Sequence, residues 1–519
     1  MNFTEPAFLF LFLPCLLVAN FTFPRRLRNL LLMLASLLFY GIGEPAFVPV
    51  LVAACLFNYG AAIGVERCRG TRGALAWLVL AIVGNLALLA VFKYCSFAVS
   101  SLHSLLGLIG MRPRGFPRDW PIPLPLGISF FTFHAISYVV DVYRGTNHAE
   151  RNPLDVILYV TLFPQLIAGP IIRYHDIAQQ LKSRSVRFTE FTEGIGRFVV
   201  GLGKKMLIAN TVAVAVDGIF EIPAGELTTS LAWLGIVCYT IQIYYDFSGY
   251  SDMAIGLGLM FGFRFLENFN YPYISGSITE FWRRWHISLS NWFRDYLYIP
   301  LGGNRGAPWQ TYLNLVIVFF LCGLWHGASS KFVVWGIYHG LFLVIERLAS
   351  RGKRGLTLSG HAVFEASSMP SKGSDPFYHG MPGVLKWLIG TRNPFKHVYA
   401  LLVVSVGWVL FRAPTFEYAM HYLSAMAGFA RGSGLEHQVG LYADRFTWII
   451  LGIACIGAMP VIPALQRLSQ SIGSRPTIAG QCFKVASETT VLFALAGCFI
   501  VSVTLSAAGT YNPFIYFQF

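Results

Sequence analysis

The sequence predicts an all-α protein that crosses a membrane many times. Three observations carry that prediction. Apolar residues make up 55% of the chain and charged residues only 12%, where a soluble domain carries about 25% charge. The mean hydropathy is +0.57. Long apolar runs recur from end to end, which excludes a soluble domain held by a single anchor.

The first run, Ala7–Ala19 (AFLFLFLPCLLVA), has no basic segment before it and no A-x-A-like site after it. It reads as a retained helix at 7–22 and not as a cleaved signal peptide. Further apolar runs place spans at 29–43, 46–64, 74–94, 96–110, 122–142, 154–172, 193–217, 230–247, 311–324, 331–348, 396–411, 446–465 and 489–507. Several fall short of the roughly 20 residues a simple span needs, so re-entrant or interfacial pieces are expected among about 11–13 transmembrane helices. Within 154–172, LIAGPIIRY (166–174) reads as a broken helix with a Gly-Pro turn and an arginine at its exit.

Two stretches depart from the apolar pattern. Residues 262–310 are polar and rich in Trp and Tyr, too charged to span, and are expected to form amphipathic segments at the membrane face. Residues 349–393 are basic and then Ser/Gly/Pro-rich, which predicts a flexible cytoplasmic loop. The chain reads as a single membrane domain with N-terminal helices at 1–192, a core block at 193–348, the 349–393 loop and C-terminal helices at 394–519. It has no soluble catalytic domain and no Walker A motif.

The net charge is +14. Lys and Arg fall mostly in short loops, and no basic stretch is long and interleaved with aromatics, so no nucleic-acid partner is expected. The loops PRRLR (24–28), ERCRGTR (66–72), RPRGFPR (112–118) and 173–187 are basic and occur at every second connection of the expected spans. Placing all four in the cytoplasm puts the N-terminus outside. The nine cysteines are scattered without a C-x-x-C pair, so neither a disulfide framework nor a zinc site is expected.

Chemistry must then come from polar residues inside the apolar block. His286 (FWRRWHISLS), His326 (GLWHGA) and His339 (GIYHG) stand out among twelve histidines. A lone histidine is most often a packing residue, but inside a bilayer a polar ring is costly and usually faces a cavity or partner. Imidazole titrates near neutrality, so it can take a proton from a hydroxyl and pass it on. Gly323 and Gly327 would allow backbone or substrate to approach His326 closely. His339 follows 13 residues later, off the same helical face, and is given a structural role. Cys322, four residues before His326, reads as a small packing residue, with a reactive Cys–His pair as the alternative. Asp246, Ser248, Ser251 and Asp252 lie between apolar runs. They admit a Ser–His–Asp triad, but no G-x-S-x-G elbow is present. The two aspartates are expected to bond the ends of broken helices or to face an aqueous funnel.

The block YYDFSGYSDMAIGLG, FRFLENFNYPYISGSITEFWRRWHISLSNWFRDYLYIPLGGNR, GLWHGA and VVWGIYHG resembles the membrane-bound O-acyltransferase family. The likeness extends to 124–145, 163–174 and the terminal NPFIYFQF (512–519), and is weakest at 349–393 and 415–487. It implies a ring of helices around a funnel, with the active-site histidines where the two faces nearly meet. It places the family's near-invariant histidine at His326 and its second active-site position at His286.

Acyl transfer from a thioester needs an activated hydroxyl, an oxyanion donor and exclusion of water, with no bound cofactor and no metal. His326 is expected to be the general base. His286 is expected to orient the acyl carbonyl or act as a donor. Trp282, Arg283 and Arg284 are expected to meet the phosphates of coenzyme A on the cytoplasmic side, with lipid headgroup contact as the alternative. Trp325 and Asp295 join them as candidate substrate-binding residues. The resemblance implies transfer of acetyl from cytoplasmic acetyl-CoA across the inner membrane to a secreted exopolysaccharide. Alginate comes first, then cellulose or another cell-surface glycan. Periplasmic proteins that carry acetyl or acetylate the polysaccharide are the expected partners, with membrane lipids around the chain. A non-enzymatic acyl-donor transporter is the rival reading. The absence of an inverted repeat and the dense Trp/Arg/His block argue against it.

Overall fold

The computed structural model describes residues 1–108, 123–352, 394–430, 432–474, 477–509 and 514. The all-α polytopic class holds, with no strand among the described residues. Among the described residues, eight helices are long and apolar enough to cross a membrane: Arg25–Gly43, Pro45–Arg67, Arg72–Gly107, Phe188–Phe220, Pro308–His326, Ser330–Ala349, Phe395–Arg412 and Ile478–Ala507. A ninth is formed if Arg445–Gly457 and Val461–Gly473, bent by 63°, count as one span. The outer helices turn their apolar side chains outward, as Val491, Leu492 and Phe493 do on Ile478–Ala507.

This is fewer than the about 11–13 expected from apolar runs, and the difference has physical causes. Residues 122–142 become Ile128–Arg144, whose side chains from Ile128 to Val142 are all buried in protein. Seventeen residues rise only about 26 Å, short of a full bilayer core. Residues 154–172 break into Pro153–Thr161, Phe163–Leu166 and an irregular exit, as the Gly-Pro turn predicts. Residues 74–94 and 96–110 form one run, Arg72–Gly107, with a π-helical turn at Ala90–Tyr94. No turn separates them, so one of the expected connections is absent between Arg72 and Gly107. The basic stretch expected at 112–118 lies outside the described residues.

The other three basic loops do share a face. Arg184 donates to Asn29 Oδ1 at 2.5 Å, beside 24–28. Arg69 donates to the Val142 carbonyl at 2.8 Å, and Glu66 holds Arg151 at 2.6 Å. Lys182 reaches Glu150 at 3.5 Å. Most of the expected 349–393 loop lies outside the described residues, although the Ser330 helix continues to Gly352.

The centre of the fold is one unbroken helix, Thr229–Met260, of 32 residues. It packs against Phe188–Gly203 along a glycine seam. A side chain on Gly194 would come within 2.7 Å of the Gly256 carbonyl, and one on Gly201 within 2.5 Å of the Gly249 carbonyl. Small residues let the two backbones touch. That approach sets two lysines opposite two aspartates: Lys204 on Asp252 and Lys205 on Asp246, each at 2.6 Å. The aspartates therefore sit within an unbroken helix and not at broken helix ends. They cross-link neighbouring helices in an interior where an unpaired charge is costly.

The 262–310 block buries one face against the protein: Ile278, Phe281, Trp282, Trp285, His286, Ser288, Leu289, Trp292 and Phe293 are buried, while Arg283 is exposed. Trp292 Nε1 donates to the Phe133 carbonyl at 3.1 Å.

Candidate active site

His326 is the last residue of the helix Pro308–His326. Gly327 is fully extended (φ −173°), so the helix stops at once and the chain turns into the helix Ser330–Gly352. The two helices pack backbone to backbone at glycines. A side chain on Gly323 would lie 3.2 Å from Gly336 Cα, and one on Gly340 would lie 3.2 Å from Phe319 Cβ. The close approach inferred for Gly323 is thus made by the neighbouring helix. The His326 ring is buried in an aromatic cage of Trp325, Trp335 and Phe411, with centroids at 4.8, 5.0 and 5.2 Å.

His286 joins the short helices Ile278–Arg284 and Ile287–Phe293 in left-handed backbone (φ 44°, ψ 55°). Few non-glycine residues adopt it, and histidine is among the more tolerant. Two backbone hydrogen bonds tie this corner to an earlier segment: Asn270 N to the Arg284 carbonyl and Ile287 N to the Asn268 carbonyl, both 2.9 Å. They seat the Asn268 side chain under His286. Both histidines border Trp325, whose ring lies 4.8 Å from His326 and 6.2 Å from His286.

The hydrogen bonds around Asn268 settle the His286 tautomer. The Ser288 backbone N–H, which can only donate, reaches Asn268 Oδ1 at 3.2 Å. Oδ1 is therefore the acceptor end of the amide, and Nδ2 donates to Ser251 Oγ at 3.0 Å. His286 Nδ1 stands 3.1 Å from the same Oδ1, so Nδ1 carries the proton. In the neutral ring Nε2 then holds a lone pair. In this tautomer the neutral ring offers an acceptor at Nε2 and not a donor.

Of the other expected site residues, Trp325 lies between the two histidines and stacks on Phe133 at 5.4 Å. Trp282 is buried one ring away, against Trp335 and His339. His339 also packs on Trp335, at 5.1 Å, so that one indole separates it from His326. Arg283 is exposed. Arg284 is engaged by Glu280 at 2.9 Å and by the Asn270 carbonyl at 3.1 Å. Asp295 lies in a separate ionic cluster, paired with Arg173 and, at 2.6 Å, with Arg294. Cys322 is buried and forms no disulfide. No Ser–His–Asp triad is assembled from 246–252, because Ser251 bonds Asn268 and both aspartates hold lysines.

Four further residues not anticipated from the sequence matter here. Lys93 Nζ donates to the Trp325 carbonyl at 2.5 Å, and Tyr94 OH to the Leu324 carbonyl at 2.7 Å. His134 Nε2 accepts from Ile172 N at 3.3 Å and Ser288 Oγ accepts from Ile171 N at 3.0 Å, which pins the broken exit of 166–174 beside the Asn268 network. The available signal was a lysine and a histidine inside apolar runs.

The sequence model described as the membrane-bound O-acyltransferase family matches residues 147–361. The chain is 40% identical to a probable alginate O-acetylase of Azotobacter vinelandii over the whole of both chains. It is 46% identical to a probable alginate O-acetylase of Pseudomonas aeruginosa, over 83% of this chain and 75% of that one. It is 35% identical to a peptidoglycan O-acetyltransferase of Helicobacter pylori, over 82% of this chain and 80% of that one.

Proposed function

The chain belongs to the membrane-bound O-acyltransferase family and is a multi-pass membrane acyltransferase; from that premise we propose that it moves acetyl from cytoplasmic acetyl-CoA across the inner membrane for O-acetylation of a secreted exopolysaccharide. Alginate is the polymer we assign, in keeping with the names of its full-length relatives. The observation that carries the chemistry is the pair of buried imidazoles bordering one tryptophan.

In this reading His326 takes the proton of the acceptor hydroxyl as its oxygen attacks the thioester carbon. A C–O bond forms, the C–S bond breaks, and the proton passes to the leaving coenzyme A thiolate. His286, with its lone pair at Nε2, helps to hold the hydroxyl. Trp325 and Trp282 help to wall the acetyl group off from water. Exposed Arg283 offers its charge to the donor's phosphates on the cytoplasmic face. The immediate acceptor is a periplasmic acetyl-carrying protein or the polymer itself.

The test is purified full-length protein in lipid nanodiscs with [14C]acetyl-CoA. Release of free coenzyme A thiol, with label passing to added acceptor, is expected. Label that crosses the membrane still bound to coenzyme A, with no thiol released, would favour the transporter reading. Acetyl content of alginate, cellulose and peptidoglycan from cells lacking the protein would identify the polymer; unchanged alginate would overturn that assignment.

A further inference from the structure

We propose that Lys93, assisted by Tyr94, is a positioning residue that fixes the end of the His326 helix and so holds the His326 ring for proton transfer. The proposal rests on the reading of His326 as general base.

A helix ending inside protein leaves its last carbonyls without intrahelical partners. Many helices resolve this with a left-handed residue after which backbone N–H groups fold back. Here Gly327 is extended, and its own N–H reaches the Gly323 carbonyl only at 3.4 Å. The next two carbonyls are satisfied from another helix: Leu324 by Tyr94 OH at 2.7 Å and Trp325 by Lys93 Nζ at 2.5 Å. The donors come from 230 or more residues away in the chain.

Two features make this more than ordinary capping. The cap is a cation, placed at the negative end of the helix dipole and within 6.0 Å of the Trp325 ring centroid. Its remaining contact is Ser129 Oγ at 3.3 Å, and it forms no ion pair with a carboxylate among the described residues. Lys204 and Lys205, by contrast, each hold an aspartate. An intramembrane lysine held on a backbone carbonyl is costly unless that grip is useful. In addition, Lys93 and Tyr94 are neighbours that both reach the same helix end. The π-helical turn Ala90–Tyr94 brings them there, and such turns are frequent at functional sites. The clamp closes on the two residues immediately before His326, so its loosening changes where the imidazole sits more than whether the helix forms.

The test uses the full chain in nanodiscs and reads kcat and KM for acetyl-CoA separately. Lys93→Met is expected to lower kcat by about 10- to 100-fold, the cost of a lost charged hydrogen bond. KM should stay within about twofold, since donor binding is untouched in this account. Lys93→Arg should recover most of kcat, and Tyr94→Phe should cost less than Lys93→Met. If Lys93→Met is not monodisperse, Tyr94→Phe, which removes the donor to the Leu324 carbonyl, is read in its place. Wild-type kcat in the methionine variant, or in Tyr94→Phe where that is read instead, overturns the proposal, as does arginine failing to rescue or KM rising as much as kcat falls. His326→Ala is measured in parallel. If it stays active, the parent reading fails. If it is inactive while Lys93→Met is normal, only the clamp fails.

Discussion

Asn268 is the residue on which the state of His286 depends, and replacing it gives a quantitative test of the site. Its side chain is buried and makes four hydrogen bonds: from His286 Nδ1 at 3.1 Å, from Ser288 N at 3.2 Å, from Ser288 Oγ at 2.9 Å, and to Ser251 Oγ at 3.0 Å. Asn268→Ala removes all four and leaves the Ser288 N–H buried without an acceptor. Net losses of about 1 kcal/mol per bond, plus about 1–3 for the orphaned donor, sum to roughly 5–7 kcal/mol before relaxation. The His286 proton is then free to move to Nε2, which removes the lone pair from the reacting side. Losing that fixed acceptor is expected to cost about 1.5–3 kcal/mol of transition-state stabilisation, roughly 10- to 100-fold in kcat. Asn268→Asp keeps an acceptor for both His286 Nδ1 and Ser288 N, so it should exceed Asn268→Ala in turnover by about tenfold or more. The assay is thiol release from acetyl-CoA, with thermal unfolding in detergent as the stability measure. Wild-type turnover in Asn268→Ala, or an aspartate variant no better than alanine, would refute the tautomer argument.

Three further outcomes are expected. Single cysteines at 24–28, 66–72 and 173–187, placed in a cysteine-depleted background, should all be labelled from the same side of the membrane by an impermeant thiol reagent; labelling of one loop from the opposite side would contradict the shared face. Lys205→Met leaves Asp246 buried and unpaired, which should cost about 3–5 kcal/mol and lower the thermal midpoint, whereas Lys205→Met with Asp246→Leu should recover most of the loss; additive losses would show that the pair is not coupled. The Asp141 carboxylate, 2.8 Å from His175 Nδ1, raises the His175 pKa above its ordinary value despite partial burial. That contribution to stability is full below about pH 6.5 and is lost as pH rises through the raised value; the thermal midpoint should fall over that window, and His175→Gln should flatten the fall. Parallel wild-type and variant curves would argue against it.

The membrane class, the break at 166–174 and the two histidines were legible in the sequence because each leaves a local signature: an apolar run, a Gly-Pro turn, a polar ring among apolar neighbours. What was not legible depends on partners distant in the chain. Lys93 passed unnoticed inside an expected span because its meaning lies in the carbonyls of Leu324 and Trp325. Lys204 and Lys205 were likewise read through, and Asp246 and Asp252 were given other tasks, because the glycine seam that pairs them joins two helices. Asn268 drew no attention, since an asparagine in a polar, aromatic block has no pattern of its own; backbone pairing with 284–287 places it under His286. Burial within the bundle is illegible for a related reason. Hydropathy does not distinguish a helix buried in protein, such as Ile128–Arg144, from one facing lipid.

The claim that His326 is the general base is tested most directly by single-turnover acetyl transfer in the purified protein, comparing wild type with His326→Ala and His326→Asn. General-base assistance is typically worth about 10²–10⁴ in rate, and neither methyl nor amide can take up the hydroxyl proton. Both variants should insert, bind acetyl-CoA as wild type does, and lose at least about 10² in the transfer rate. A transfer rate within a few-fold of wild type in either variant, at equal folded protein, would contradict the account.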